Sequence, residues 1–559
     1  MFRRLAVLLL VITAGCGKGD VKTPSGDHPN GSQSTQTKPS FTVFALAEVR
    51  GQIGPCGCTS DPLGDIARTT QLIEDARAAG PVLVVDAGGL LYSQTPVPAH
   101  LEAQEDLKAD LLASIYTKQL DVQAVGLGLA DTAKGPEKER IPRTVSNVSD
   151  PYATKPPQVI TVGDTKVGVF GVIAEDTFKI GITDPVAAGK AAITKLHSDG
   201  AQVIVALLQA SSKRDATALA KQIGGIDLAV AGLGINAPEP EAVEIEPTQI
   251  ETGWMVIPGN RGQVISKVDV TVRGAVQPLA AAATPKAKIA QLDKELASRD
   301  DELKRFAADP SADKAFVAQK QKERADLAAQ RAELAKSGAT PPATGSFITL
   351  DQVKIGKLLA CSKPAQDAVT AFYDAAGKAN VKAAAGKLPE PPAKGQASYV
   401  GSASCGDCHD EAVKFWQKTV HAQAWQTLVE RGQQFDYDCI GCHVTGWQKP
   451  GGSNLATNEN LRDIQCETCH GPASIHVKKN GEEKPIAMIK TPPDNLCATQ
   501  CHTHEHSDTF EHTAYLRDIT GPGHGEKLRA TLGDGPTGAS LRKAALEKAG
   551  KSLGANCTR

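Results

Sequence analysis

Four short runs near the C-terminal end constrain this chain more than anything else in it. They are Cys405-Gly-Asp-Cys408-His409, Cys439-Ile-Gly-Cys442-His443, Cys466-Glu-Thr-Cys469-His470 and Cys497-Ala-Thr-Gln-Cys501-His502. A Cys-x-x-Cys-His run is the attachment signature of haem c. Two thiols add to the vinyl groups on one porphyrin edge, and the adjacent imidazole becomes the proximal iron ligand. Zinc is the competing reading, since paired cysteines also build ribbons. Histidine fills only 13 of 559 positions, so four placements directly after a second Cys are not coincidence. A disulfide framework gives no reason for the His at all. The fourth run carries one extra residue, so its loop must bulge to present both sulfurs, with single attachment through Cys501 as the alternative. The expected cofactor is haem c, four groups, with His409, His443, His470 and His502 as proximal ligands.

Ten of the 13 histidines lie in residues 398–530. Beyond the four proximal ones, His421, His476, His504, His506, His512 and His524 remain. Neutral imidazole is a good iron ligand, so His421, His476, His524 and His506 are the candidate distal ligands. His421 falls in 411–430, which reads as one amphipathic helix. Trp416, Trp425 and Trp447 are placed to pack on porphyrin faces or edges.

Residues 399–525 resemble the cytochrome c-554/c-prime tetrahaem family. The stretches that carry the resemblance are Tyr399-Val-Gly-Ser-Ala-Ser-Cys405, Phe415-Trp416-Gln-Lys-Thr-Val-His421, Cys466-Glu-Thr-Cys-His-Gly-Pro-Ala-Ser-Ile-His476, Cys501-His-Thr-His-Glu-His506-Ser-Asp and Pro522-Gly-His524-Gly. The resemblance implies closely packed haems acting as a chain for electrons. Carried over by position, it implies that His409 pairs with His476, His470 with His524 and His502 with His421. The iron on His443 is then the one with an open or weakly filled site.

The N-terminus sets the expected compartment. Arg3 and Arg4 precede the apolar run 5–13, followed by Ala14, Gly15 and Cys16. A basic start, a short apolar core and small residues make a secretory signal. The pattern resembles a bacterial lipoprotein signal over 1–16, with Cys16 lipidated, and Gly17 favours an outer-membrane destination. Residues 17–40 are rich in Gly, Ser, Thr, Pro and Gln and read as a flexible tether. After residue 16 no apolar run reaches the ~18 residues needed to span a bilayer. A net charge of −2 excludes a strongly basic nucleic-acid binder.

Residues 41–283 alternate short apolar runs (41–47, 81–86, 158–162, 167–172, 203–208, 228–231) with helical stretches, which predicts an α/β domain built on a buried sheet. Residues 284–340 read as a helical hairpin turning at Asp309-Pro310-Ser311. Ile289, Leu292, Leu296 and Leu303 give it a narrow apolar stripe. Packing on its own domain is expected, with a partner-contacting arm as the alternative. A return strand follows near 346–358. Next come a helix and a Pro-rich linker over 359–397, a mainly α multihaem domain over 398–530, and a tail over 531–559.

The α/β part resembles the calcineurin-like metallophosphoesterase fold, in its periplasmic 5'-nucleotidase branch, through its strand order, Gly51-Gln-Ile-Gly-Pro-Cys56-Gly-Cys58 and Asp227-Leu-Ala-Val-Ala-Gly232. That family implies a dimetal centre, which needs clustered Asp, His and Asn. Here its Asp-x-His-Gly is Glu48-Val-Arg50-Gly51, its Gly-Asp is Gly88-Gly89, its Gly-Asn-His-Glu is Gly126-Leu-Gly-Leu129, and its Gly-His-x-His is Gly232-Leu-Gly-Ile235. The domain therefore reads as a non-catalytic relic. Cys56, Cys58, Cys361 and Cys557 remain outside the motifs and allow three pairings.

The expectation is an exported, lipid-anchored tetrahaem cytochrome that passes electrons between redox partner proteins. The alternatives are a reductase of a small nitrogen or sulfur compound at the His443 haem, and a nucleotidase with a cytochrome tail. A third reading makes the α/β domain a partner platform.

Overall fold

The computed structural model describes residues 38–559 apart from 56–58, 149–151, 153, 175–179, 275, 308–311, 338, 483–486, 504–505 and 559. Cys16 and the leader, Cys56, Cys58, His504 and the expected hairpin turn at 309–311 lie outside the described residues.

Two six-stranded sheets form the N-terminal part. The first contains β1 (Phe41–Leu46), β2 (Val82–Asp86), β3 (Ala124–Val125), β12 (Val264–Thr271), β13 (Ala280–Ala281) and β14 (Phe347–Lys354), in the order β13-β14-β12-β1-β2-β3. Strands β4 (Arg143–Thr144) and β5 (Thr154–Lys155) form a small ladder of their own. The second sheet runs β10-β11-β9-β8-β7-β6, from β6 (Gln158–Val162), β7 (Thr165–Ile173), β8 (Val203–Gln209), β9 (Leu228–Gly232), β10 (Thr248–Ile250) and β11 (Gly253–Val256).

Side chains on a strand alternate between faces, and these strands are apolar on both. On β1, Phe41, Val43 and Ala45 face the second sheet, where they meet Val205 and Leu207 of β8 and Val230 of β9. Phe44 and Leu46 face the other way, onto α1 (Ile66–Ala79) and α2 (Glu102–Lys118). On β8, Ile204, Ala206 and Leu208 turn outward onto α3 (Pro185–Ser198) and α4 (Lys213–Ile223). The result is four layers, helix–sheet–sheet–helix. Asp65 caps α1 through Ala67 N at 2.8 Å.

The hairpin helices are α5 (Lys286–Ala307) and α6 (Lys314–Lys336). They pack chiefly on each other rather than on the domain, a correction to the expectation. Ion pairs Arg324–Asp300 and Arg331–Asp293, both at 2.9 Å, join them. Leu292 is buried, but the rest of the stripe is too narrow to cover a second surface.

The helix expected beside the linker is α7 (Lys363–Ala384). It belongs to the α/β core: Val369, Phe372 and Ala376 join the cluster around α1 and α2. Its last turn does something else, since Ala384 packs with Ile440, Val444 and Leu455 of the C-terminal part. The tail also returns. Cys361 and Cys557 form a disulfide across 196 residues, which selects one partner from the three pairings left open. Cys361 N donates to Ala555 O at 2.9 Å and Gly554 N to Lys357 O at 2.8 Å. Residues 39–559 accordingly make one compact unit.

The C-terminal part is short helices joined by turns: α8 (Gly406–Trp416), α9 (Ala424–Val429), α10 (Tyr437–Ile440), α11 (Cys466–His470), α12 (Ser474–Lys478), α13 (Leu496–Gln500), α14 (His512–Ile519), α15 (Glu526–Thr531) and α16 (Gly538–Ala549). The single helix expected over 411–430 is instead α8, a 3-10 turn at Val420–Gln423, and α9. Trp416 Nε1 donates to Ile464 O at 2.8 Å and Thr419 Oγ1 back to Trp416 O at 2.7 Å, which ends α8 and turns the chain. Among the described residues no helix is long and apolar enough to cross a membrane.

Candidate haem centres

The structure brings three pairs of histidines together from remote positions. His409 and His476 have ring centroids 6.4 Å apart, His421 and His502 6.3 Å, and His470 and His524 5.9 Å. Each pair joins a motif His to one of the candidate distal ligands. With metal–nitrogen bonds of about 2.0 Å, two imidazoles trans on one metal have their centroids about 6.3 Å apart. The spacing is too wide for ring stacking contact and fits an iron between the two rings. The fourth candidate, His506, faces Arg261 and Asp438, and burial lowers its pKa.

Ring orientation is set by hydrogen bonds at Nδ1, which leave Nε2 for a metal. His470 Nδ1 lies 2.8 Å from Ile489 O, His524 Nδ1 2.7 Å from Ile519 O, and His502 Nδ1 3.1 Å from Ser507 Oγ. His443 is held the same way, against Ala424 O. It has no partner ring of this kind among the described residues. His476 Nδ1 is buried and unpartnered.

The motifs themselves are shaped by local backbone. The first runs from a 3-10 turn at Ser402–Cys405 into α8, where His409 departs from helical geometry at φ −122° and ψ 39°. The fourth takes up its extra residue in a wide turn. His502 N reaches Cys497 O at 2.8 Å, five residues back, where an α-helix would reach four. None of the eight motif cysteines is in a disulfide. Thiols of different motifs lie within hydrogen-bonding reach, Cys405 with Cys466 and Cys442 with Cys501. Thiols of the first and third motifs are thus neighbours, as are those of the second and fourth.

Two positioning residues carried no signal in the motif reading. Glu467, an unspecified position of the third motif, is buried. It accepts from Gly401 N at 2.7 Å, Val400 N at 3.0 Å and Ala473 N at 2.8 Å. It thereby ties the approach to the first motif against the third, and burial raises its pKa. Asp436 caps α10 through Asp438 N at 3.0 Å, and Cys439 Sγ lies 3.7 Å from its other oxygen. Burial pushes Asp436 up to about 6.

Side-chain burial also suits a large apolar group. Phe415, Trp416 and Trp425 stay half-buried, and the local cluster is small. The Arg462 guanidinium sits 4.7 Å over the Trp425 ring, and Tyr437 meets Trp447 at 5.9 Å.

The cleft of the α/β part has a different donor set. Glu48 follows β1 and is 1% exposed. Its Oε1 accepts from Gln209 Nε2 at 2.9 Å and Gly234 N at 3.0 Å, Oε2 has no partner, and burial raises its pKa to about 7. Asp86 spends one oxygen on Gly88 N and the other on Tyr116 OH, both at 2.7 Å. Asp131 accepts from Gly89 N, Leu90 N, Leu91 N and Gly128 N and pairs with Arg143 at 3.1 Å. A Cβ on Gly89 would fall 2.1 Å from Glu48 Oε2, and one on Gly232 2.2 Å from Gln209 Nε2. Glu48 and Gln209 occupy the room that further ligands need. These residues do not fit a dimetal centre: the carboxylates serve internal hydrogen bonds and a buried guanidinium. A cavity of about 290 Å³ remains above Glu48, lined also by Arg50, Ser93, Thr95 and Gly234.

Two kinds of known protein resemble this chain. Residues 404–471 match the family of cytochrome c554 and c-prime, a span that holds the first three motifs. Covalently bound haem c is what that match implies. Cytochrome c-554 of Nitrosomonas europaea is 30% identical over 120 residues, 18% of this chain and 51% of the relative. The chain thus spans about half the length of the curated relative it matches. Among solved structures, the chain is similar to a 5'-nucleotidase precursor from Thermus thermophilus (20% identity, TM-score 0.33, 42% of this chain and 51% of that one). It is also similar to a calcineurin-like phosphoesterase from Bacillus subtilis (18% identity, TM-score 0.32, 42% and 86%).

Proposed function

We propose that this chain is an exported, lipid-anchored tetrahaem c-type cytochrome that passes electrons between redox partner proteins on the periplasmic side of an outer membrane. The observation that carries the reading is the set of three histidine pairs at 5.9–6.4 Å, each joining a motif His to a remote one. Haem supplies one-electron ferric/ferrous chemistry when bound. The chain's own part is to orient the imidazoles, through Nδ1 hydrogen bonds on His470, His502 and His524, and to keep thiols of different motifs close. The α/β part takes no hydrolytic role in this reading, because Asp86 and Asp131 are committed to internal partners and Glu48 is buried with one oxygen held by Gln209 and Gly234. The N-terminal leader and Cys16 support export and anchoring.

A reductase reading has one observation in its favour. His443 is oriented like the others but lacks a partner ring among the described residues, which suits an iron with an accessible face. A haem count decides the main reading: intact mass and a pyridine haemochrome assay on protein made with a c-type maturation system. Four haems are expected. None, with zinc in their place, would overturn it. A high-spin ferric signal from one haem, shifted by nitrite or nitric oxide, would select the reductase; six-coordinate low-spin spectra throughout would select the carrier.

A further inference from the structure

Helices α2 and α7 of the α/β part send a polar cluster to the second attachment site. Asn380 Nδ2 donates to Gln104 Oε1 at 2.7 Å and to Phe435 O at 2.9 Å. Gln104 Nε2 donates to Asp436 Oδ1 at 2.7 Å, and Tyr437 N donates back to Gln104 Oε1 at 3.1 Å. Lys108 Nζ is 2.7 Å from Glu105 Oε1 and 2.8 Å from Asp438 Oδ2. Glu105 is anchored in turn by Ser93 N at 2.8 Å. Gln104, Glu105 and Asn380 are fully buried, and the Lys108 side chain is 4% exposed. Asp436 and Asp438 lie three and one residues before Cys439. The tyrosine ring of Tyr373, on α7, is buried against the same group.

A surface ion pair between domains is worth little, but here the lysine end is desolvated, since Lys108 is 4% exposed although Asp438 is 44% exposed. Burying a lysine on a helix of one domain, aimed at the attachment helix of another, costs more than apolar contact there. A packing role does not require it. Asn380 and Gln104 already dock α10, so the ammonium is surplus to docking. What a buried cation does is favour whichever state of its neighbour is more negative, and reduction adds one electron to a haem.

We propose that Lys108 is a tuning residue for the haem carried by Cys439, Cys442 and His443, raising its potential, with Asp438 acting in the opposite direction. The relic domain is thereby part of the second haem's environment. The inference rests on the tetrahaem reading, and its test separates the two.

The test is a spectroelectrochemical titration of the full-length holoprotein against three variants, with the haem count taken on each. Lys108→Met is expected to lower the potential of one haem. A buried unit charge changes a one-electron equilibrium by about tenfold at the effective dielectric of protein sites, which is about 59 mV. Asp438→Asn is expected to raise the same haem by less, because Asp438 is 44% exposed and screened. Lys108→Arg keeps the charge and is expected to restore the parent potential. A purely structural role predicts shifts of one sign for both Lys108→Met and Asp438→Asn, or drift of all four haems, and either result sinks the proposal. So does an unmoved set of potentials with four haems present. Should Lys108→Met fail to fold, Asp438→Asn alone decides: an upward shift of one haem supports the proposal and no shift overturns it. Absence of haem on Cys439 and Cys442 removes the functional reading itself.

Discussion

The two halves of this chain solve the same problem with different material. The α/β half builds its interior from its own strands. Val43, Val85, Val205, Leu207 and Val230 meet between two sheets with 0–1% exposure. The haem half has few such residues. Its largest cluster is Ile440, Val444, Leu455 and Ala384, the last borrowed from α7. In place of an apolar centre it has imidazole pairs spaced for a metal and thiols gathered from different motifs. One half is expected to hold together on hydrophobic burial, and the other to need covalent groups to complete its core. The same contrast runs through the polar residues. Asp86 and Asp131 in the α/β cleft are consumed by internal partners, whereas Glu467 and Asp436 hold the chain around the motifs.

Withholding haem is the strongest way to test that contrast. Metal-dependent domains gain much of their folding energy from the bound group. Expression without c-type maturation is expected to leave 398–530 open to limited proteolysis, while a fragment covering the two sheets survives. Equal digestion of both halves would show that the α/β part depends on the haems as well. The Cys361–Cys557 disulfide comes next, because it closes the loop that contains the whole haem half. Replacing both cysteines with alanine is expected to cost about 2–5 kcal/mol, read as a lower midpoint in denaturant, with the haem count unchanged. A loss of haem would mean that the tail is needed for attachment.

The smallest effect concerns Glu48. Its folded pKa of about 7 lies above its ordinary value of 4.5 because burial disfavours the charged form. The folded state therefore binds the proton more tightly. Stability from this group is fully present below pH 4.5 and is lost as pH rises through about 7. The gap corresponds to about 3 kcal/mol. Glu48→Gln is expected to flatten the fall in melting temperature between about pH 5 and pH 8. A melting curve with the same pH slope in the variant would refute the assignment and place the titration elsewhere.

Much of the site was legible because haem attachment is local chemistry. Cys405 to His502 carry their roles in consecutive residues. The short continuous apolar runs marked the strands for a similar reason, since a strand buried on both faces is apolar over consecutive residues. The pairing of histidines was read through family resemblance rather than spacing; the fold brings His421, His476 and His524 each against a motif histidine, whereas His506 faces Arg261 and Asp438. What stayed hidden was everything set by two distant segments meeting. Glu467 and Asp436 look like ordinary surface acids in the sequence. Lys108 looks like one more charged residue of α2, with no hint that Asp438 lies against it. The helix expected over 411–430 breaks after Trp416, whose carbonyl accepts from Thr419 N and Thr419 Oγ1 rather than from a next helical turn.

By itself the sequence determined the local facts: four Cys-Cys-His runs, an α/β region of apolar strands, and only two histidines, His100 and His197, between residues 41 and 280. These follow from residue type and short-range spacing, which no later folding event alters. Tertiary structure decided the rest. It chose Cys361 with Cys557, turned α7 from a linker helix into a shared wall, paired the hairpin with itself, and carried Lys108 to the second attachment site. Each of those depends on which buried surfaces meet, a matter of shape and desolvation summed over the whole molecule rather than of any one stretch of chain.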